Sequence, residues 1–169
     1  LFTGNAFYPL DYAYFFSNKK NAKTPEKIGD ARSSSGSRSY EAKHYTKLEL
    51  ALSMIRKTVK GGILPGYVLF DSWYSWPWFI QAIRNIHRGI HVVCRLKDSN
   101  VRYEYKGRKY RLTKLYQKVR NGFRKDIRTG LLLKRITVTL PDSDDPMVIV
   151  FSKGYQEPAL ESVKGKKKE

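Results

Sequence analysis

Cysteine occurs once in this 169-residue chain, at Cys94, which excludes an internal disulfide and any zinc site built on several thiolates. A lone thiol of this kind packs as a small hydrophobe in a strand, in keeping with a reducing cytosol. Long apolar runs are missing too. None nears the roughly 20 residues that span a bilayer, so no segment embedded in a membrane is expected. Acids are scarce: 15 Asp and Glu stand against 33 Lys and Arg, for a net charge of +18. Such an excess repels itself unless a polyanion neutralises it, with nucleic acid the first candidate and an anionic membrane surface the second. Core-forming residues are not scarce. At 41% hydrophobic the chain is not globally disordered, and its length suits about one domain.

The richest stretch runs from Tyr67 to Trp78. Tyr67-Val68-Leu69-Phe70 is a short apolar run after Gly66, it ends on Asp71, and all three tryptophans, Trp73, Trp76 and Trp78, follow. The run reads as a buried strand. In open α/β sheets, ligands bind beyond the carboxyl ends of strands, where Asp71 stands. A hard carboxylate oxygen there suits Mg²⁺ or Mn²⁺. An aspartate after a strand is also a favoured N-cap of the next helix, and the stretch alone leaves both roles open. Ser75 then reads as an N-cap, with Pro77 in the first turn of a helix reaching about His87. Gly89 stops it, and Ile90–Leu96 reads as a second buried strand. A helix between two such strands implies a crossover and parallel pairing.

Around this centre the chain divides by texture. Gly4-Asn5 reads as a turn before a strand over Ala6–Phe16, and residues 17–44 as a flexible basic loop. Leu48, Ala51, Leu52, Ile55 and Val59 have helical spacing, giving a helix over Tyr45–Lys60 closed by Gly61-Gly62. Residues 1–98 are therefore α/β. Residues 99–152 are expected to form a β-rich antiparallel subdomain. It opens with a hairpin, Val101–Tyr105 and Arg108–Leu112 about the turn Lys106-Gly107. A short helix follows over Lys114–Val119. Strands Arg128–Leu140 and Met147–Phe151 flank a turn rich in Pro and Asp, the first alternating as a sheet with one wet face does. Residues 153–169 form a basic polar tail.

Charge is concentrated. Residues 95–135 hold 15 Lys or Arg and three acids, which accounts for two thirds of the net charge. Arg95, Lys97, Lys106, Arg108, Lys109 and Arg111 are the candidate phosphate contacts. Tyr103, Tyr105, Tyr110, Tyr116 and Phe123 are interleaved with the cations. Cations that neutralise phosphates beside aromatics that stack on bases suit a nucleic-acid surface. A solvated face with ordinary sheet aromatics is the alternative, but it would not need such one-sided charge. Other signals are weak. His87 and His91 are separated by the helix-stopping Gly89, so they make no zinc pair. Residues 61–66 lack the Gly-Lys-Ser/Thr ending of a phosphate loop. Asp142, Asp144 and Asp145 lack the glycine and terminal glutamate of a calcium loop. Cys94 has no marked base or helix start to activate it.

Four segments resemble insertion-sequence transposases of the DDE superfamily. Gly4-Asn5-Ala6-Phe7-Tyr8-Pro9-Leu10-Asp11-Tyr12 is similar to the hairpin strand after the first catalytic Asp. Leu69-Phe70-Asp71-Ser72-Trp73-Tyr74 is similar to the strand bearing the second. Ile90–Lys97 is similar to the next core strand, which commonly ends in Lys or Arg, and Val101–Phe151 to the β-rich insertion before the catalytic Glu. The resemblance implies an incomplete ribonuclease-H-like mixed sheet with flanking helices, plus the insertion subdomain. It also implies that the chain is an internal fragment, with the first Asp upstream of Leu1 and the Glu beyond Glu169. Asp11 has no metal role in that pattern.

The activity so implied is DNA transposition, by metal-dependent strand cleavage and strand transfer. Two Mg²⁺ (or Mn²⁺) ions roughly 4 Å apart would activate the nucleophile and stabilise the leaving oxygen. Asp71 would be the catalytic and metal-ligating residue contributed by this chain, which alone would be inactive. Trp73 and Trp76 would be free to stack on a distorted base, although helix packing competes for at least two of the three tryptophans. The implied partners are element-end and target DNA and a second copy in a homodimer. The implied location is the cytoplasm of a bacterium or archaeon, at the nucleoid. A non-enzymatic basic nucleic-acid-binding module is the competing class.

Overall fold

A serine-rich run opens α1 (Ser34–His44), the first helix of a computed structural model that describes residues 4, 6–13, 15 and 33–154. The loop expected over 17–44 is therefore helical in its last 11 residues, while 17–32 lie outside the described residues. Two things override the polar composition. The Ser33 hydroxyl accepts a hydrogen bond from the Gly36 amide at 3.1 Å, which caps the helix. Ala42 is fully buried, and tertiary burial of this kind stabilises a helix that propensity alone would not. The strand expected over residues 6–16 is also corrected: among the described residues only an isolated bridge at Phe7 remains. Pro9 has no amide to donate to a ladder, and the Tyr12 amide is taken by the Asp11 carboxylate at 2.8 Å.

The chain divides into two compact units, Leu1–Lys97 and Asp98–Glu169. In the first, α2 (Lys47–Lys60) opens on a complete capping box between Thr46 and Glu49. Gly61 caps its end, and Gly62 takes the left-handed conformation at φ +89°. The apolar stripe Leu48, Ala51, Leu52, Ile55 and Val59 packs on a core formed with Phe79, Ile83 and Ile90. Lys57 reaches back to Glu41 of α1 at 3.0 Å.

β1 (Tyr67–Phe70) and β2 (His91–Cys94) pair in parallel, with Tyr67 opposite His91 and Phe70 opposite Cys94. Between them lie a 3₁₀ turn over Ser72–Tyr74 and α3 (Pro77–Arg84). The crossover is as expected, with three adjustments, the first being that α3 ends at Arg84 rather than near His87. β2 stops at Cys94 rather than Leu96. The N-cap of α3 is Trp76, not Ser75, with Pro77 in the first turn. Ser75 instead donates its hydroxyl to the Ser72 carbonyl at 2.8 Å. Among the described residues this sheet has two strands. Val68, Phe70 and Val92 face the helices, whereas Tyr67, Leu69 and Val93 on the opposite face are exposed.

The second unit is antiparallel. The hairpin β3 (Arg102–Tyr105) and β4 (Arg108–Arg111) turns at Lys106 and Gly107, both at positive φ, as a two-residue hairpin matched to strand twist requires. α4 (Leu112–Val119) packs on both strands. β5 (Arg124–Lys125), β6 (Leu131–Thr139) and β7 (Pro146–Gly154) complete the sheet, in the order β4-β3-β6-β5 with β7 also on β6. Tyr103, Leu115, Val119, Ile136, Val138, Leu140 and Ile149 are its buried residues. The whole is mixed α/β. No helix among the described residues is long and apolar enough to cross a membrane.

Candidate functional site

Strand register brings two of the singled-out residues, Asp71 and Arg95, to one edge of the first unit. Phe70 and Cys94 are the last paired residues of β1 and β2, so Asp71 and Arg95 are the next positions on adjacent parallel strands. Asp71 is exposed. Its Oδ1 accepts the Trp73 amide at 3.0 Å, and its carbonyl accepts the Tyr74 amide at 3.3 Å. The capping role is therefore realised, on the 3₁₀ turn rather than on α3. It occupies one carboxylate oxygen and leaves Oδ2 without a partner among the described residues. Beside it, burial pushes the Tyr74 phenol above its usual range and the Asp71 carboxylate adds to that, so Tyr74 stays protonated.

A two-ion metal site does not assemble from what is described: no group of three or more His, Cys, Asp and Glu is placed to hold a metal among the described residues. Asp71 has one carboxylate oxygen beyond the one used by its cap. Asp11 is otherwise engaged. Burial alone would raise its carboxyl, but the Tyr12 amide and the Arg38 guanidinium outweigh this and hold it below the usual range. Arg38 lies 3.0 Å from Asp11 and stacks over Tyr12. Cys94 is half-buried, and burial pushes its thiol up to about 11, which suits a packing residue and not a nucleophile.

The tryptophans do not fill the core, although Trp78 meets Phe79 edge-on at 5.7 Å. Trp73 is 71% exposed and Trp76 and Trp78 are each 49% exposed. Phe79 takes the core position, with Phe70 at 5.5 Å and Tyr74 at 5.9 Å between ring centroids. The Lys97 ammonium lies 4.7 Å above the Trp73 ring, a cation–π contact. A depression of about 230 Å³ beside it is lined by Thr46, Lys47, Leu48, Trp73 and Tyr74.

In the second unit the run Lys106, Arg108, Lys109 and Arg111 does not act as a block. Arg102 lies opposite Arg111, Tyr103 opposite Tyr110, Glu104 opposite Lys109 and Tyr105 opposite Arg108. Strand alternation puts Arg102, Glu104, Lys109 and Arg111 on the wet face, Arg108 on the other face with the tyrosines, and Lys106 in the turn. Thr139 pairs with Glu104, which places Arg135 of β6 on the wet face as well. The interleaved aromatics are mostly packing groups. Tyr103 is 2% exposed, and Tyr116 contacts Phe123 and Phe151 at 6.1 and 5.4 Å.

Opposed like charges such as Arg102 and Arg111 cost stability across a strand pair. Among the described residues no acid lies within ion-pair distance of either. Arg102 and Arg135 were outside the sequence-derived set. Arg102 was legible, because a two-residue turn at Lys106-Gly107 fixes the pairing 102 with 111. The acids Glu104, Asp142 and Asp144, with Arg102 and Lys109, line a depression of about 390 Å³ at the β6–β7 turn, so that end of the face is mixed in sign. No protein-family model, curated protein or solved structure matches the chain.

Proposed function

We propose that this chain acts on DNA as part of a DDE-type transposase with a ribonuclease-H-like catalytic core. In this reading Asp71 is one of the carboxylates of a site for strand cleavage and strand transfer, and the second unit grips the DNA backbone. The observation that supports it most is the position of Asp71: exposed and directly past β1, as Arg95 is directly past the parallel β2. Ligand sites of open α/β sheets lie at such strand ends. The wet face with Arg102, Lys109, Arg111 and Arg135 supports the DNA half, since cations outnumber acids there and the like charges of Arg102 and Arg111 stand opposite one another, an arrangement that suits a polyanion. Residues 95 and 97 would place further cations at the Asp71 edge. Element ends and target DNA are the partners of this reading, with a homodimer and a nucleoid location following from it.

A purely binding module is the second reading, and the Asp71–Trp73 cap favours it, because that hydrogen bond gives Asp71 a structural job. Incubating the 169-residue chain with supercoiled plasmid and Mg²⁺ tests the first reading. Retarded but uncut DNA is expected, because Mg²⁺ gives up its waters reluctantly and one carboxylate holds it weakly. Metal-dependent nicking by this chain alone would mean that a complete site lies within it.

A further inference from the structure

We infer that the free edge of β7 is a self-association surface, which pairs antiparallel with β7 of a second copy of this chain. It gives the homodimer of the DNA reading a surface, and rests on that reading only in what the pairing does for DNA. Among the described residues β7 pairs with β6 alone, in a register that runs unbroken from Thr139 and Pro146 to Leu131 and Gly154. Two hydrogen bonds fix which of its backbone groups are left over. The Leu140 amide donates to the Asp145 carbonyl at 3.2 Å, and on the other side of β6 the Asp126 amide donates to the Leu131 carbonyl at 2.8 Å. Residues of an antiparallel pair alternate between bonding the partner strand and turning away from it. Met147, Ile149 and Phe151 therefore bond β6, while Val148, Val150 and Ser152 turn their amides and carbonyls outward.

Open edges are ordinarily defended by short length, charge, proline or a bulge. The opposite edge of the sheet obeys this: β4 has four residues, three of them Arg or Lys. β7 does not. It has nine residues in unbroken register, a proline only at its first position, and no charge before Lys153. Val148 and Val150 are 45% and 54% exposed. A chain of net charge +18 repels its own copy, so a contact between copies belongs where the surface is uncharged. β7 also matches itself. A two-fold axis through Val150, perpendicular to the sheet, sets Val150 opposite its copy and Val148 opposite Ser152, amide to carbonyl. That rotation keeps both wet faces on one side. The two Arg135, each paired with a Val150, then stand three strand spacings apart, about 14 Å. The two cationic faces join into one surface for DNA.

Sedimentation of the 169-residue chain without DNA tests this, at up to about 100 μM, where a weak interface of small area is filled. A dimer is expected. It should tighten as salt rises, because screening reduces repulsion between copies, whereas DNA binding weakens with salt. Val150→Pro removes an amide that β6 does not use, so the fold is kept while both hydrogen bonds at the axis are lost. Dimer affinity should fall about ten- to a hundredfold. Val150→Lys sets two like charges face to face and should also weaken the dimer, and Val150→Thr should keep it. Circular dichroism checks that each variant is folded. A monomeric parent overturns the pairing and, if DNA still binds, leaves the DNA reading standing. A dimer that persists in folded Val150→Lys also overturns it, because the interface then lies elsewhere. A dimer lost in both variants of a chain that binds no DNA upholds the pairing and overturns only the DNA reading.

Discussion

Asp71→Asn, placed in a longer protein that supplies the other carboxylates, is expected to lower DNA cleavage by more than about a hundredfold. Partners that merely stand behind metal ligands cost 10- to 100-fold when removed, and a ligand should cost more. The substitution is chosen for what it keeps. Asparagine is as good an N-cap as aspartate, so its Oδ1 can still accept the Trp73 amide now bonded at 3.0 Å. The 3₁₀ turn survives and the charge is removed. DNA binding should therefore change little. A cap-only role predicts the reverse order: Asp71→Asn would behave as the parent and Asp71→Ala would be impaired. A plasmid-nicking assay on the two variants separates these outcomes.

The second large effect concerns the wet face of the second unit. Replacing Arg102, Lys109 and Arg111 together by Ala should flatten the dependence of log affinity on log salt by about 2.7, at about 0.9 for each phosphate no longer neutralised. At physiological ionic strength that corresponds to about a hundredfold weaker binding. The fold should tolerate the change, because Arg102 and Arg111 are opposed like charges whose removal relieves repulsion. Arg108→Ala is the comparison. It removes one charge from the same hairpin but from the other face, and should leave the slope as it is. A flattening by Arg108→Ala equal to one third of the triple variant's would show that position on the face does not matter.

Much of this was legible in the sequence where local chemistry and burial agree. The α2 stripe, the Gly61-Gly62 stop and the Lys106-Gly107 turn each have one physical reading, and the structure follows it; the apolar run before Asp71 is a strand as read, but only half-buried, with Tyr67 and Leu69 exposed. Legibility failed where tertiary packing decides. A serine-rich segment became helix because Ala42 is buried and Glu41 meets Lys57. The tryptophans look like core by composition, yet Phe79 fills that place and leaves them exposed. The basic run looks like one patch along the chain. Strand alternation splits it, sending Arg108 to one side and Lys109 and Arg111 to the other. Asp71 shows the limit most clearly: metal ligand and cap were both open in sequence, and the geometry realises the cap while leaving one oxygen without a partner among the described residues.

Whether this chain holds DNA by its phosphates is the central question. The direct measurement is the affinity of the 169-residue chain for duplex DNA across a series of salt concentrations. With Arg102, Lys109, Arg111 and Arg135 sharing one face, a slope of about −3.6 or steeper is predicted, at about −0.9 per phosphate neutralised. A slope indistinguishable from zero would contradict it.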